Sequence, residues 1–249
     1  CHDFYGRKTL EWILILPLTI PTYIAAYAYY DALELLNPLF NWGRGHIGIK
    51  ETMMLENFAI YLIVIILFSF VLYPYVYLSV RASLLISGNR LVESAATLGL
   101  PSNKVFSKLI LPFIKPAIIA GLSLVIMETL NDYAAVEYFG ISTLTIGIFR
   151  SWFGMYDMAS ALKLSSYLIL FTFFILVMEK AYRGKERYNN ITGSQNSFRK
   201  IPIENKRLLF VYIFCCTPFI FGFLVPVVRL ITWLWYSNLN FADMNILKI

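Results

Sequence analysis

The sequence is short of charge and of the residues that usually carry catalysis. Charged residues fill only 14% of its 249 positions, whereas hydrophobic residues fill 59%. That is more apolar content than one soluble core of this size can hide, so an ordinary soluble domain is excluded. Only His2 and His46 are present, both outside the apolar runs, which argues against the histidine-acid cluster or metal pair of an intramembrane enzyme. The three cysteines, Cys1, Cys215 and Cys216, have no metal or redox spacing, and neighbouring cysteines rarely bridge because disulfide geometry is restrictive. Neither metal site nor cofactor is expected. No signal segment precedes Cys1, and Arg7 and Lys8 read as a cytoplasmic flank, so the expectation is a chain that begins in mid-protein.

What is abundant is long apolar sequence. Five runs approach the ~20 residues that a helix rising 1.5 Å per residue needs to cross a bilayer core of about 30 Å. They are roughly Leu10 to Tyr30, Asn57 to Val80, Pro116 to Val136, Ala159 to Met178 and Leu208 to Trp235. The expected fold class is therefore all-α, a polytopic transmembrane helix bundle of about five spans.

The net charge of +6 raises the question of nucleic acid, and the distribution of the charge answers it. If residues 81 to 115 are cytoplasmic and the chain alternates, 15 of the 21 lysines and arginines fall on inner segments, at 7–8, 81–115 and 180–207. Basic residues retained inside are the signature of membrane topology, so no nucleic-acid partner is expected. The lipid membrane is.

Pro17 and Pro21 in the first run remove backbone donors and predict a bent, buried helix. Residues 31 to 56 read as an outer loop. Gly43 and Gly48 have phosphate-loop separation, but Ile49 stands where the lysine should be, and an ordinary turn is the better reading. Residues 181–207 turn to Arg, Lys, Asn, Ser and Gly, a cytoplasmic linker. The glycosylation-like Asn190-Ile191-Thr192 lies within it, on the wrong side for modification.

Residues 91–121 predict two short helices. Leu91 to Leu98 is helix-compatible, Gly99 suits a left-handed closure, and Pro101 with Ser102 can open a second helix to about Leu111. That helix would present Val105, Phe106, Leu109 and Ile110 on one side and be broken by Pro112 and Pro116. The turn at Gly99-Leu100 would project as an apolar knob able to dock in a partner's groove.

Glu93, Gly99 and Leu109-Ile110-Leu111-Pro112 resemble the EAA loop of binding-protein-dependent ABC importer permeases. The family pattern is E-A-A, three residues, G, nine residues, I-x-L-P. Here Ser94 replaces the first alanine, Ala95 keeps the second, and Leu109 replaces the isoleucine. The resemblance implies that Glu93, Ala95, Gly99, Leu100, Leu109, Leu111 and Pro112 couple this chain to a dimeric ATPase, that an extracytoplasmic binding protein delivers the substrate, and that the chain sits in the bacterial inner membrane without catalytic chemistry of its own. Further matches are narrower. Pro17-Leu18 through Tyr29, Leu72 to Tyr77, Met127 to Asp132, Tyr138-Phe139-Gly140 and Trp152-Phe153-Gly154 look like the first half of iron(III)-type permeases with two fused halves. Pro218, Gly222-Phe223 and Pro226 resemble the opening helix of a second half. The division implied is 1–180 for most of the first half, 181–207 for the linker and 208–249 for the truncated start of the second. Thiamine, polyamine and phosphonate permeases share the loop, so the solute stays open.

Glu128, Asn131 and Asp132 lie at spacings of three and four in the third run, which puts them on one helical face. Ionisable groups inside a bilayer are costly and face a bundle interior, a partner or a water path. Counted from the outer ends, Asp132 and Lys163 lie about 6 Å deep, Arg229 about 9 Å and Glu128 about 12 Å. Matched depth suggests Asp132 with Lys163, and Arg229 with Glu128 or Asp132. These residues are polar glue between helices or the lining of a translocation path. Tyr27, Tyr29, Tyr30, Trp152, Trp233 and Trp235 read as anchors at the outer interface.

Overall fold

A computed structural model describes residues 2–3, 6–97, 105–183, 201–202 and 205–236, and side chains over 6–31, 33–85, 105–183 and 208–235. Apart from a two-residue parallel pairing of His2–Asp3 with Ile201–Pro202, every described element is helical. Four helices are long and apolar enough to cross a membrane, and five segments qualify when one bent pair is counted as a single span.

That bent pair is the first apolar run. Helix α1 (Arg7–Ile13) and a 3-10 turn (Leu16–Thr19) meet α2 (Thr22–Glu34) at 88°, a full break rather than the expected bend. The cause is local. Pro17 has no N–H, and the Leu18 N–H turns to Ile15 at 3.1 Å, so the Leu14 carbonyl loses its helical donor. The Tyr73 hydroxyl donates to it at 2.7 Å. Irregular backbone at membrane depth is tolerated where protein covers it in this way.

Beyond the break, α2 is the centre of the bundle. Ala25 and Ala26 are 0% exposed, and small side chains let neighbouring backbones approach closely. Around α2 pack Val64, Leu67, Phe68 and Val71 of the next long helix, with Ala135, Val136 and Phe139 from further along the chain.

Residues 31–56 are not the outer loop expected. The end of α2 and helix α3 (Asn37–His46) occupy much of the segment, and Gly48, with φ +123°, turns the chain into α4 (Ile49–Thr97). Gly43 lies inside α3, where an added Cβ would meet the Thr52 hydroxyl at 3.3 Å. The glycines thus serve a turn and a helix contact.

Helix α4 is 49 residues long and carries Pro74 in its interior. Its Arg44–Glu56 and Glu11–Arg81 ion pairs are 25 residues apart along it, from 56 to 81, or about 38 Å. They bracket a bilayer core of about 30 Å.

The next helix, α5 (Leu111–Asn131), continues directly from a π segment at Phe106–Ile110. Pro112 and Pro116 therefore do not break it. The π segment, with the Leu111 N–H on the Phe106 carbonyl, widens the turn ahead of the prolines. Gly121 makes the α4–α5 contact close, since a Cβ there would lie 2.6 Å from Val76 Cα.

The third run also ends sooner than expected. Helix α5 stops at Asn131 because Asp132 is extended (ψ 120°). Two short helices follow, α6 (Ala134–Tyr138) and α7 (Leu144–Phe149), then a π segment at Arg150–Gly154. Asp157 opens α8 (Met158–Arg183), accepting the Ser160 N–H at 3.1 Å and hydroxyl at 2.5 Å. The last span joins α9 (Asn205–Phe219) to α10 (Val225–Tyr236) through a π segment at Ile220–Leu224, two residues before Pro226. Helix α8 and this last span bury little of their apolar surface, so both present it outward.

Candidate coupling segment and intramembrane polar groups

Of the coupling residues, Glu93 and Ala95 lie on the final turns of α4, which runs unbroken to Thr97. The first short helix expected from the sequence is therefore the tip of a long one. Gly99 and Leu100 lie outside the described residues. Leu109 falls in the π segment, and Leu111 and Pro112 begin α5. Phe106 and Leu111 are exposed, at 57% and 43%, while Leu109 and Ile110 are half-buried. The described part of the segment thus offers apolar side chains at the end of two tightly packed helices.

The structure redistributes the intramembrane pairs. Arg229 pairs with Asp31 of α2, not with Glu128 or Asp132, because the last span packs against α2. Asp132 is held elsewhere. The Thr22 hydroxyl donates to its Oδ2, the Ala135 N–H donates to Oδ1 at 2.9 Å, and the Thr145 hydroxyl donates to its backbone carbonyl at 3.2 Å. Both carboxylate oxygens are engaged at the junction of α2, α5 and α6, so the Asp132–Lys163 pair is not formed. Lys163 is exposed on α8, and its charge acts instead on Asp157. The Ser160 hydrogen bonds, foremost the hydroxyl's and then the backbone's, with help from Lys163, lower the Asp157 pKa.

Glu128 is exposed and accepts from the Tyr75 hydroxyl at 3.2 Å. Asn131, the last residue of α5, is exposed too. Only Asp132 leaves their shared helical face, because its backbone has already turned extended.

Around Tyr138 lies an aromatic and acidic group whose assembly the sequence did not reveal. The Tyr138 ring lies tilted against Tyr27 with centroids 4.1 Å apart and edge-on to Tyr30 at 4.9 Å, and Trp233 meets Tyr27 edge-on at 6.2 Å. Burial, and next the nearby Tyr27, Asp31, Tyr30 and Glu34, raise the Tyr138 pKa. Tyr29 is no interfacial anchor: it is buried, and its hydroxyl donates to the Phe221 carbonyl at 2.7 Å. Such long-range partners, Tyr73 with Leu14 and Tyr29 with Phe221, leave no signal in spacing. Among the described residues no three His, Cys, Asp or Glu side chains come together.

The arrangement is one of helices held by broken-backbone contacts and engaged polar groups.

A family model described as binding-protein-dependent transport system inner membrane component matches residues 2–183. An Fe(3+)-transport system permease of Haemophilus influenzae is 27% identical over 234 residues, covering 94% of this chain and 42% of that protein. A sulfate transport system permease of Salmonella typhimurium is 28% identical over 137 residues, 55% of this chain and 47% of that one. A molybdenum transport system permease of Haemophilus influenzae is 27% identical over 141 residues, 55% and 57% of the two chains. The chain spans about half the length of these curated relatives. No solved structure matches.

Proposed function

Because the chain belongs to the family of binding-protein-dependent transport system inner membrane components, we propose that it forms part of the membrane pathway of an ATP-driven importer, with iron(III) as the solute. The iron permease similarity over 94% of the chain, against 55% for the sulfate and molybdenum permeases, is the observation that carries the choice.

In this reading the segment from Glu93 to Pro112 docks against a separate ATPase dimer and an extracytoplasmic binding protein loads the outer side. The chain itself supplies no catalytic group and binds no cofactor. Residues 1–180 form most of one permease half, 181–207 an inner linker and 208–249 the start of another half. Glu128, Asn131 and Asp132 stand at the outer end of α5, with Glu128 and Asn131 exposed toward the path and Asp132 positioning α6 against α2.

The test is deletion of the coding sequence in its host, followed by uptake of radiolabelled iron(III), sulfate and molybdate. Selective loss of iron(III) uptake is expected. Loss confined to sulfate or molybdate would overturn the choice of solute, and no loss of any of the three would overturn the iron reading and leave no support for import.

A further inference from the structure

A cleft of about 500 Å³ opens between α1, the inner end of α4 and Ile118 of α5. Its wall is apolar, formed by Val76, Val80, Leu84, Leu85 and Ile118. At one end Glu11 accepts from Arg7 Nε at 2.8 Å and from Arg81 Nη2 at 2.6 Å. Two guanidinium groups sharing one carboxylate leave an excess positive charge. Each guanidinium carries five donors, and Glu11 engages a single nitrogen of each. The Arg81 guanidinium lies 6.0 Å from the Tyr77 ring centroid, a cation–π contact that keeps its fork at the cleft.

The surroundings are those of a membrane interface. Arg81 is near the end of the apolar stretch Ile49–Leu85, and Trp12, 75% exposed, stands next to Glu11 on α1. Lys8 adjoins Arg7 in sequence, and Lys115 is one helical turn before Ile118. A second cleft of about 490 Å³, between α4, α5 and the α6–α7 region, has no charged lining. The two clefts are matched in volume and differ in charge.

We infer that the charged cleft binds one anionic phospholipid, its phosphate on Arg7 and Arg81 and one acyl chain along Val76, Val80, Leu84 and Ile118. The apolar wall calls for a hydrocarbon chain and the paired guanidiniums for an anion, and a phospholipid of the inner leaflet supplies both in one molecule. Bound there, the lipid bridges α1 to α4 and α5 on the inner side of the break at Pro17. The inference rests on membrane embedding and not on the identity of the solute.

Native mass spectrometry of the purified chain in detergent, with phosphatidylglycerol, phosphatidylcholine or glycerol phosphate added, tests it. Each basic group near an anionic lipid is worth about fivefold in affinity, so one phosphatidylglycerol should be retained roughly ten- to thirtyfold better than phosphatidylcholine. Glycerol phosphate, which lacks the chains, should be lost. Arg81→Gln should remove most of the preference, and Leu84→Trp, which fills the wall and keeps every charge, should remove binding. Glu11→Gln should retain or strengthen binding, because it deletes the competing carboxylate. Should Arg81→Gln fail to fold, Glu11→Gln and Leu84→Trp decide alone. Equal retention of the two lipids, full binding of glycerol phosphate, binding that survives Leu84→Trp, or binding lost in Glu11→Gln would each overturn the proposal.

Discussion

Among the described glycines Gly222 has the least room for a side chain, and replacing it with alanine tests how the last span is held. Pro74 has no N–H to offer the Phe70 carbonyl one turn earlier in α4. At that place the π segment of the last span presents Gly222, whose absent Cβ would stand 2.1 Å from the Phe70 oxygen, 3.0 Å from its carbonyl carbon and 3.1 Å from Pro17 Cβ. The glycine hydrogen that points along this line makes a weak C–H···O contact with the freed oxygen. Alanine would need more than 1 Å of separation to reach ordinary contact at 3.4 Å, and two of the three obstacles are backbone. Overpacking of this kind costs about 1–3 kcal/mol. Gly45→Ala is the control: it lies in exposed α3 with nothing within 4 Å of the added carbon, and alanine gains up to about 1 kcal/mol over glycine in a helix. Thermal unfolding of the purified chain in mild detergent measures both. Gly222→Ala should melt clearly lower and Gly45→Ala no lower than the parent. A Gly222→Ala chain as stable as the parent would refute the close approach of the last span to α4 and the broken first helix.

The ion pairs give a second test by double-mutant cycle. Asp31→Asn with Arg229→Met should be more stable than the sum of the single changes predicts, by about 1–3 kcal/mol for a half-exposed pair, whereas Asp132→Asn with Lys163→Met should be additive; coupling in the second cycle and none in the first would invert the assignment. A reporter fused at Gly154 should be external and one at Asn196, which lies outside the described residues, cytoplasmic; opposite labelling at both would remove the docking argument with it. The lowered Asp157 pKa means that its cap on α8 stabilises fully above the ordinary carboxylate range and is lost as pH falls through the depressed value. Amide exchange at Ser160 should therefore quicken only in acid, and quicken at neutral pH in Asp157→Ala; a wild-type rate in that variant would show the cap to be idle.

Much of the fold was legible because bilayer thickness fixes span length. The runs from Asn57, Ala159 and Leu208 all fall on described membrane-length helices, since an apolar helix satisfies its own backbone in lipid. Prolines were harder to read. Pro17 and Pro21 break their run, while Pro112 and Pro116 sit inside a continuous helix, where the π segment ahead of them widens the turn. The charged pairs were the least legible. Depth along a span gives height and not azimuth, so Asp132 and Lys163 match in depth yet face different neighbours, and Arg229 pairs with Asp31, at the end of the first run. The coupling motif is carried by its spacing, and Gly99, where the sequence predicts a turn, lies outside the described residues.

The central claim is that the segment from Glu93 to Pro112 transmits the work of an ATPase to this chain. Gly99→Val in the complete transporter of the host removes the residue suited to a left-handed turn, at a local cost of about 1–2 kcal/mol. Measured together, membrane abundance and uptake of radiolabelled iron(III) should separate, with abundance near that of the parent and uptake strongly reduced. Undiminished uptake at equal abundance would contradict the account.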